Sequence, residues 1–204
     1  QSFLRYIIYT LVKEIRNKDL TELKNILIEK LASSKDNFEE LEKFNIHNVH
    51  KKFLHYLLAR INFYVNTTIY NKSISFADLM VPRKQNRYVV HQIIENYNNF
   101  SDIFEHEDYF NYYKSKIGNT ILIPNPINNE FLNKINISRF NKLKKDLMLN
   151  QGLLSSFYNN GSFNDYLSSK GLIPFSQGEL KESIDNRTYV LNRIIKDIWN
   201  YENI

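Results

Sequence analysis

Three features of the 204-residue sequence predict an α+β fold that is predominantly helical. Apolar residues recur at helical spacing over most of the chain. Only two short runs, Tyr88 to Ile94 and Ile117 to Ile123, have the brevity and β-branched content of buried strands. Hydrophobic residues make up 43% and charged residues 24%, which supports a packed core and argues against wholesale disorder. A lone pair of strands is not stable in water, so it must pack on helices. The expected architecture is a helical bundle supporting a small ββα element, with residues 1–80 helical and residues 81–204 carrying the ββα element and the C-terminal helices.

Each element follows from a local pattern. Leu4, Ile7, Ile8, Leu11, Val12 and Ile15 predict a first helix, and Leu23, Ile26, Leu27 and Leu31 a second over Leu20 to Ala32. Asp36 with Glu39 has the form of a capping box and opens a short third helix. The strongest stripe is Phe53, Leu54, Leu57, Leu58, Ile61, Tyr64 and Val65. Ser73 to Pro82 breaks the pattern, and Pro82 to Arg87 is a polar, basic connector. The strand Tyr88 to Ile94 leads into a turn-rich loop, Glu95 to Asn99. Asp102 to Lys116 predicts a helix bearing Phe104, Tyr109, Phe110 and Tyr113, and the second strand stops at Pro124-Asn125-Pro126. Helix returns over Ser138 to Leu149 with Phe140, Leu143 and Leu147. Gly152, Gly161 and Gly171 divide short helical pieces, Ser176 with Glu179 forms a second capping box, and the last helix carries Val190, Leu191, Ile194, Ile195, Ile198 and Trp199.

Composition excludes some chemistry. There is no cysteine, so disulfides and thiolate metal sites are ruled out, and a reducing cytoplasmic setting is the expectation. No apolar run reaches the ~18 residues of a membrane span, so no membrane partner is expected. Gln1 to Tyr9 is apolar but lacks a basic leader and a small-residue cleavage site, which argues against a secretory signal. The chain opens on Gln rather than Met, and the expectation is a piece of something longer. A net charge of +5 and a pI near 9.1 fit a nucleic-acid partner.

The candidate site lies in the two strand runs. His91 sits at the centre of the first, Gly118-Asn119 opens the second, and Asn128 follows it. That layout can bring an imidazole and carboxamides beside one metal ion at the mouth of a hairpin. Arg83, Lys84 and Arg87 precede the first strand, and Lys142, Lys144 and Lys145 lie on the helix after the second. Both sets could grip DNA phosphates without reading sequence, and solvated loop and helix charges explain them almost as well. His47, His50 and His55 have no Cys or carboxylate partners to complete a zinc set, and a solvated helix start accounts for them better. Glu105-His106-Glu107-Asp108 reads as a charged helix face.

The stretch from Phe53 to Trp199 resembles the C-terminal HNH-like nuclease portion of GmrSD-type modification-dependent (type IV) restriction endonucleases. Tyr88 to Ile94 matches that family's Tyr-x-x-Glu-His-Ile-Leu strand, and Asn99 the loop after it. Phe104 and Phe110 match a Phe-rich helix, Lys114 to Ile123 a basic Gly-Asn run, and Asn128 a trailing Asn. Phe140 with Lys142 approximates an aromatic–lysine helix at a spacing one residue short, and Arg187, Leu191, Ile198 and Trp199 match the close. The resemblance implies a ββα-metal fold and hydrolysis of DNA phosphodiester bonds in a phage-defence restriction protein. It also implies a divalent cofactor, Mg²⁺ or Mn²⁺, and a nucleotide-handling N-terminal domain absent from this chain. His91 and Asn128 would hold the metal, and Asn119 would orient the site.

One departure matters. In register, His91 falls on the family's metal-ligand Glu and Gln92 on its catalytic His. A glutamine cannot take a proton at neutral pH, and losing a general base costs about 10²–10⁴ in rate. Either His91 does the work from a position displaced by one residue, or the site is degenerate and the domain binds DNA or a partner chain without cutting. A third course has His106 swing in as base.

Overall fold

The computed structural model describes residues 9, 12–13, 16–33, 44–80, 88–124, 147, 161–170 and 179–199. Two compact units divide the chain: Gln1–Leu41 with Trp199–Ile204, and Glu42–Ile198.

In the first unit, helix α1 spans Leu20–Ser33. Its start is set by Asp19, whose Oδ1 accepts from the amides of Thr21 and Glu22, each at 2.8 Å. Glu22 reaches back to the Asp19 amide at 3.3 Å, which completes a reciprocal capping box. The earlier helix, the Asp36–Glu39 box and its helix lie wholly or mostly outside the described residues.

The second unit opens with α2, Lys51–Tyr64. The exposed His50 is its N-cap, with Nδ1 accepting from the Lys52 amide at 3.2 Å. Leu54, Leu57, Leu58 and Ile61 bury the expected stripe, and the helix runs into a π-turn at Val65–Ile69. The interval read as a break holds a short helix, α3, Phe76–Met80. His55 ties it to α2, its Nε2 lying 2.8 Å from the Leu79 carbonyl oxygen.

Strands β1, Tyr88–Gln92, and β2, Thr120–Pro124, form a two-stranded antiparallel sheet. His91 pairs with Ile121 and Gln92 with Thr120. Between them lies α4, Glu107–Lys114, later and shorter than predicted. Its acidic start, Glu107 and Asp108, suits a helix N-terminus. The chain before it folds into turns around the buried Phe100 and Phe104. Both strands are also shorter than predicted. Ile117–Asn119 forms a 3₁₀ turn before β2, and Ile93 and Ile94 leave β1 to bond with Asn119.

Helices α5, Ser162–Ser169, and α6, Leu180–Ile198, complete the described elements. The predicted helix over Ser138 to Leu149 lies outside the described residues, apart from the buried Leu147. The core is built around the sheet. Ile121 and Ile123 join Ile93, Phe100, Phe104, Phe110, Tyr113 and Ile184 in one apolar cluster, against which Val89 packs. Side chains alternate along a strand, so Leu122 belongs to the other face, where it is fully buried, and α2 lies against both strands. The described structure is thus predominantly helical with one small antiparallel sheet.

The turn before β2 requires its glycine. A Cβ at Gly118 would fall 2.7 Å from the Thr188 backbone nitrogen and closer still to Ile184 O and Thr188 Oγ1. Gly118 therefore lets α6 pack directly on the turn, and its N–H donates to Thr188 Oγ1 at 3.2 Å.

Candidate functional site

β1 carries His91 and Gln92 as neighbours, so their side chains leave opposite faces of the sheet. His91 shares the face of Val89, Ile121 and Ile123 and is half-buried. Burial pulls its imidazole below the ordinary histidine value of 6.5, and the Glu95 carboxylate pulls weakly the other way. The ring is therefore neutral at neutral pH and keeps a nitrogen able to accept a proton.

Gln92 is engaged on the other side. Its Nε2 donates to the Lys114 carbonyl at 3.2 Å. The same carbonyl accepts from Asn119 Nδ2 at 3.0 Å. Asn119 is fully buried. Its Oδ1 accepts from the Ile94 amide at 2.8 Å, and its Nδ2 donates to the Ile94 carbonyl at 3.0 Å. Its own carbonyl accepts from the Ile93 amide at 2.8 Å. The Asn119 carboxamide thus pairs with Ile94 as a further strand residue would. Both of its amide hydrogens are used.

The structure brings Gln92 and Asn119 together at the C-terminal end of α4 and places His91 on the opposite face. Asn128, Arg83, Lys84, Arg87, Lys142, Lys144 and Lys145 lie outside the described residues. His106 is exposed at the N-cap of α4. No group of three or more His, Asp or Glu side chains gathers among the described residues in a way that could hold a metal ion. His91 with Glu95 is therefore an incomplete donor set for the ion implied by the resemblance.

A cleft of about 580 Å³ opens where the loop after β1 meets α4. Glu95, Asn96, Asn98 and Asn99 line it from the loop, and Glu107, Asn111 and Lys114 from the helix. Of these, only Asn99 was a candidate from its place in the sequence. The available signal was a run of polar residues immediately after a strand, because loops in that position carry many binding sites.

Asp185 on α6 pairs with Lys116 next to the turn that holds Asn119. Burial pulls the Lys116 ammonium down, but the hydrogen bonds it donates to Asp185 and Tyr112 outweigh that and hold the value above that of an ordinary lysine. The buried Arg187 donates from Nη2 to the Thr120 carbonyl at 3.1 Å, which fixes α6 to the start of β2.

Among the described residues, no helix is long and apolar enough to cross a membrane. Compared with known proteins, the chain matches no family model, no curated protein and no solved structure.

Proposed function

We infer that the chain is the HNH-like endonuclease domain of a cytoplasmic phage-defence restriction protein and hydrolyses DNA phosphodiester bonds. One observation carries the reading: a histidine kept neutral by burial stands on a small two-stranded antiparallel sheet, with the Glu95 carboxylate near enough to act on its charge. In this role the His91 imidazole takes a proton from the attacking water, the water oxygen bonds to phosphorus, and the P–O ester bond breaks. Arg83, Lys84, Arg87, Lys142, Lys144 and Lys145 hold the DNA backbone. In the alternative role, His91 is a ligand rather than the base: with Asn128 it would hold a divalent ion, Mg²⁺ or Mn²⁺, which would stabilise phosphate charge. The described donors do not complete its site, so the chemistry assigned to them is proton transfer alone. A nucleotide-handling N-terminal domain is the expected companion.

A second reading, DNA or partner binding without cleavage, is favoured by the engagement of Gln92 and Asn119 with main chain. The test is nicking of a supercoiled plasmid with Mg²⁺ or Mn²⁺, comparing wild type with His91→Ala. The endonuclease reading expects nicking that falls by about 10² or more in the variant. DNA retention on a gel without nicking selects the second reading. Nicking that survives the substitution removes His91 from the mechanism.

A further inference from the structure

The cleft between the post-β1 loop and α4 has a chemistry that phosphodiester hydrolysis does not use. Its floor is apolar, with Ile93, Phe100 and Phe110 buried beneath it. Its rim is polar and carries the carboxylates of Glu95 and Glu107 and one ammonium, that of Lys114. Two negative charges against one positive leave the lining at −1, in a chain whose net charge is +5. The Lys114 ammonium also lies over the Phe110 ring, 5.8 Å from its centroid. An anion gains little here, so a phosphate is a poor occupant.

Ionised carboxylates only accept hydrogen bonds, so they call for N–H donors on the ligand. The carboxamides of Asn98 and Asn111, both exposed at the rim, each offer a donor and an acceptor. The loop is already shaped before any ligand arrives. Asn96 Oδ1 accepts from the Asn98 amide at 3.1 Å, and the Asn99 and Phe100 amides donate back to the carbonyls of Asn96 and Tyr97. A preformed site avoids the ordering cost of binding. A volume of about 580 Å³ falls within the range of small-ligand pockets.

We propose that this cleft binds an amino-bearing nucleobase (adenine, cytosine or guanine) through its exocyclic amine and hydrogen-bonding edge. The Glu107 carboxylate accepts from the amine, as carboxylates accept from cytosine N4, and Asn111 completes the edge as an asparagine does on adenine. Thymine lacks an exocyclic amine and sets carbonyl oxygens against the carboxylates. The proposal does not depend on cleavage at His91.

Binding of adenosine, cytidine and guanosine to the full chain, followed by calorimetry and ligand-observed NMR, tests it. Thymidine and inorganic phosphate serve as the comparison probes. All three amino-bearing nucleosides are expected to bind, thymidine at least about five-fold more weakly, and phosphate is expected not to compete. Glu107→Gln and Asn111→Ala, both at exposed positions, should each weaken nucleoside binding by about five-fold while keeping the far-ultraviolet dichroism and cooperative unfolding of wild type. Absence of nucleoside binding up to about 10 mM, equal binding of thymidine, displacement by phosphate, or variants that bind as wild type would each overturn the proposal. A chain that binds these nucleosides but leaves plasmid intact keeps this site and loses the cleavage reading. One that nicks plasmid but ignores nucleosides does the reverse.

Discussion

At the scale of single residues, neighbours in sequence take different roles. Asn119 joins three segments through one side chain: the exit of β1, the end of α4 and the turn before β2. Asn119→Ala leaves the buried Ile94 N–H without its acceptor, and a loss of about 3 kcal/mol is expected in urea unfolding. Gln92→Ala should cost about 1 kcal/mol or less, because the Lys114 carbonyl keeps its bond from Asn119. Equal losses in the two variants would deny Asn119 its clamping role. His91 makes a prediction of the opposite kind, in pH. Its folded-state value lies below the ordinary 6.5, so the unfolded chain takes up the proton first. The stability that neutral His91 contributes is complete above that value and is lost as pH falls through the lower folded one. Urea midpoints of wild type and His91→Gln at about pH 7.5 and about pH 5 should therefore differ in slope, with wild type losing more on acidification. Parallel slopes would mean that the imidazole is not shielded as its burial implies.

At the scale of elements, a close joint is that of α6 on the turn before β2. Gly118→Ala puts a methyl group against the backbone of Ile184 and Thr188, where neither can yield without shifting α6. A loss of about 1–3 kcal/mol is expected in thermal or urea unfolding. Asp185 supports the same joint from the side. Asp185→Asn strips the partner from an ammonium only 13% exposed, leaving it over the rings of Tyr112 and Tyr113 at 4.2 and 4.7 Å. About 1–2 kcal/mol should be lost, the ring contacts and the partial exposure of Asp185 limiting the effect. A midpoint unchanged by either substitution would mean that the joint adds little. Much of this level was legible in the sequence. The stripe of α2 follows from its period, because burial on one face imposes it, and both strand positions follow from short β-branched apolar runs, β2 being buried on both faces. The strand ends were not legible. Ile93 and Ile94 look like strand residues, yet a side chain 25 positions away takes the place of the partner strand. The cleft was hidden for a related reason: Glu95 and Asn111 become neighbours only when α4 folds back beside the loop. In the sequence Gly118-Asn119 is only a local turn dipeptide, whereas the contact that requires glycine comes from α6, about 70 residues later.

At the scale of the whole molecule, all the buried apolar side chains among the described residues lie between Ile46 and Ile195, inside the unit Glu42–Ile198. That unit holds the sheet, the aromatic cluster and the cleft. A segment with its own core and cleft should fold by itself, since about 150 residues bury roughly 70% of the surface exposed by the unfolded chain. The aromatic residues offer separate probes. The single tryptophan, Trp199, falls in the other unit, while Tyr97, Tyr109, Tyr113 and Tyr166 fall in this one. Residues 42–198 expressed alone are therefore expected to keep the near-ultraviolet tyrosine dichroism of the full chain and to unfold in one cooperative urea transition. A segment that shows helical far-ultraviolet dichroism without that tyrosine signal, and melts gradually, would show that its core needs the remaining residues to pack. The unit division would then describe proximity along the chain without independent stability.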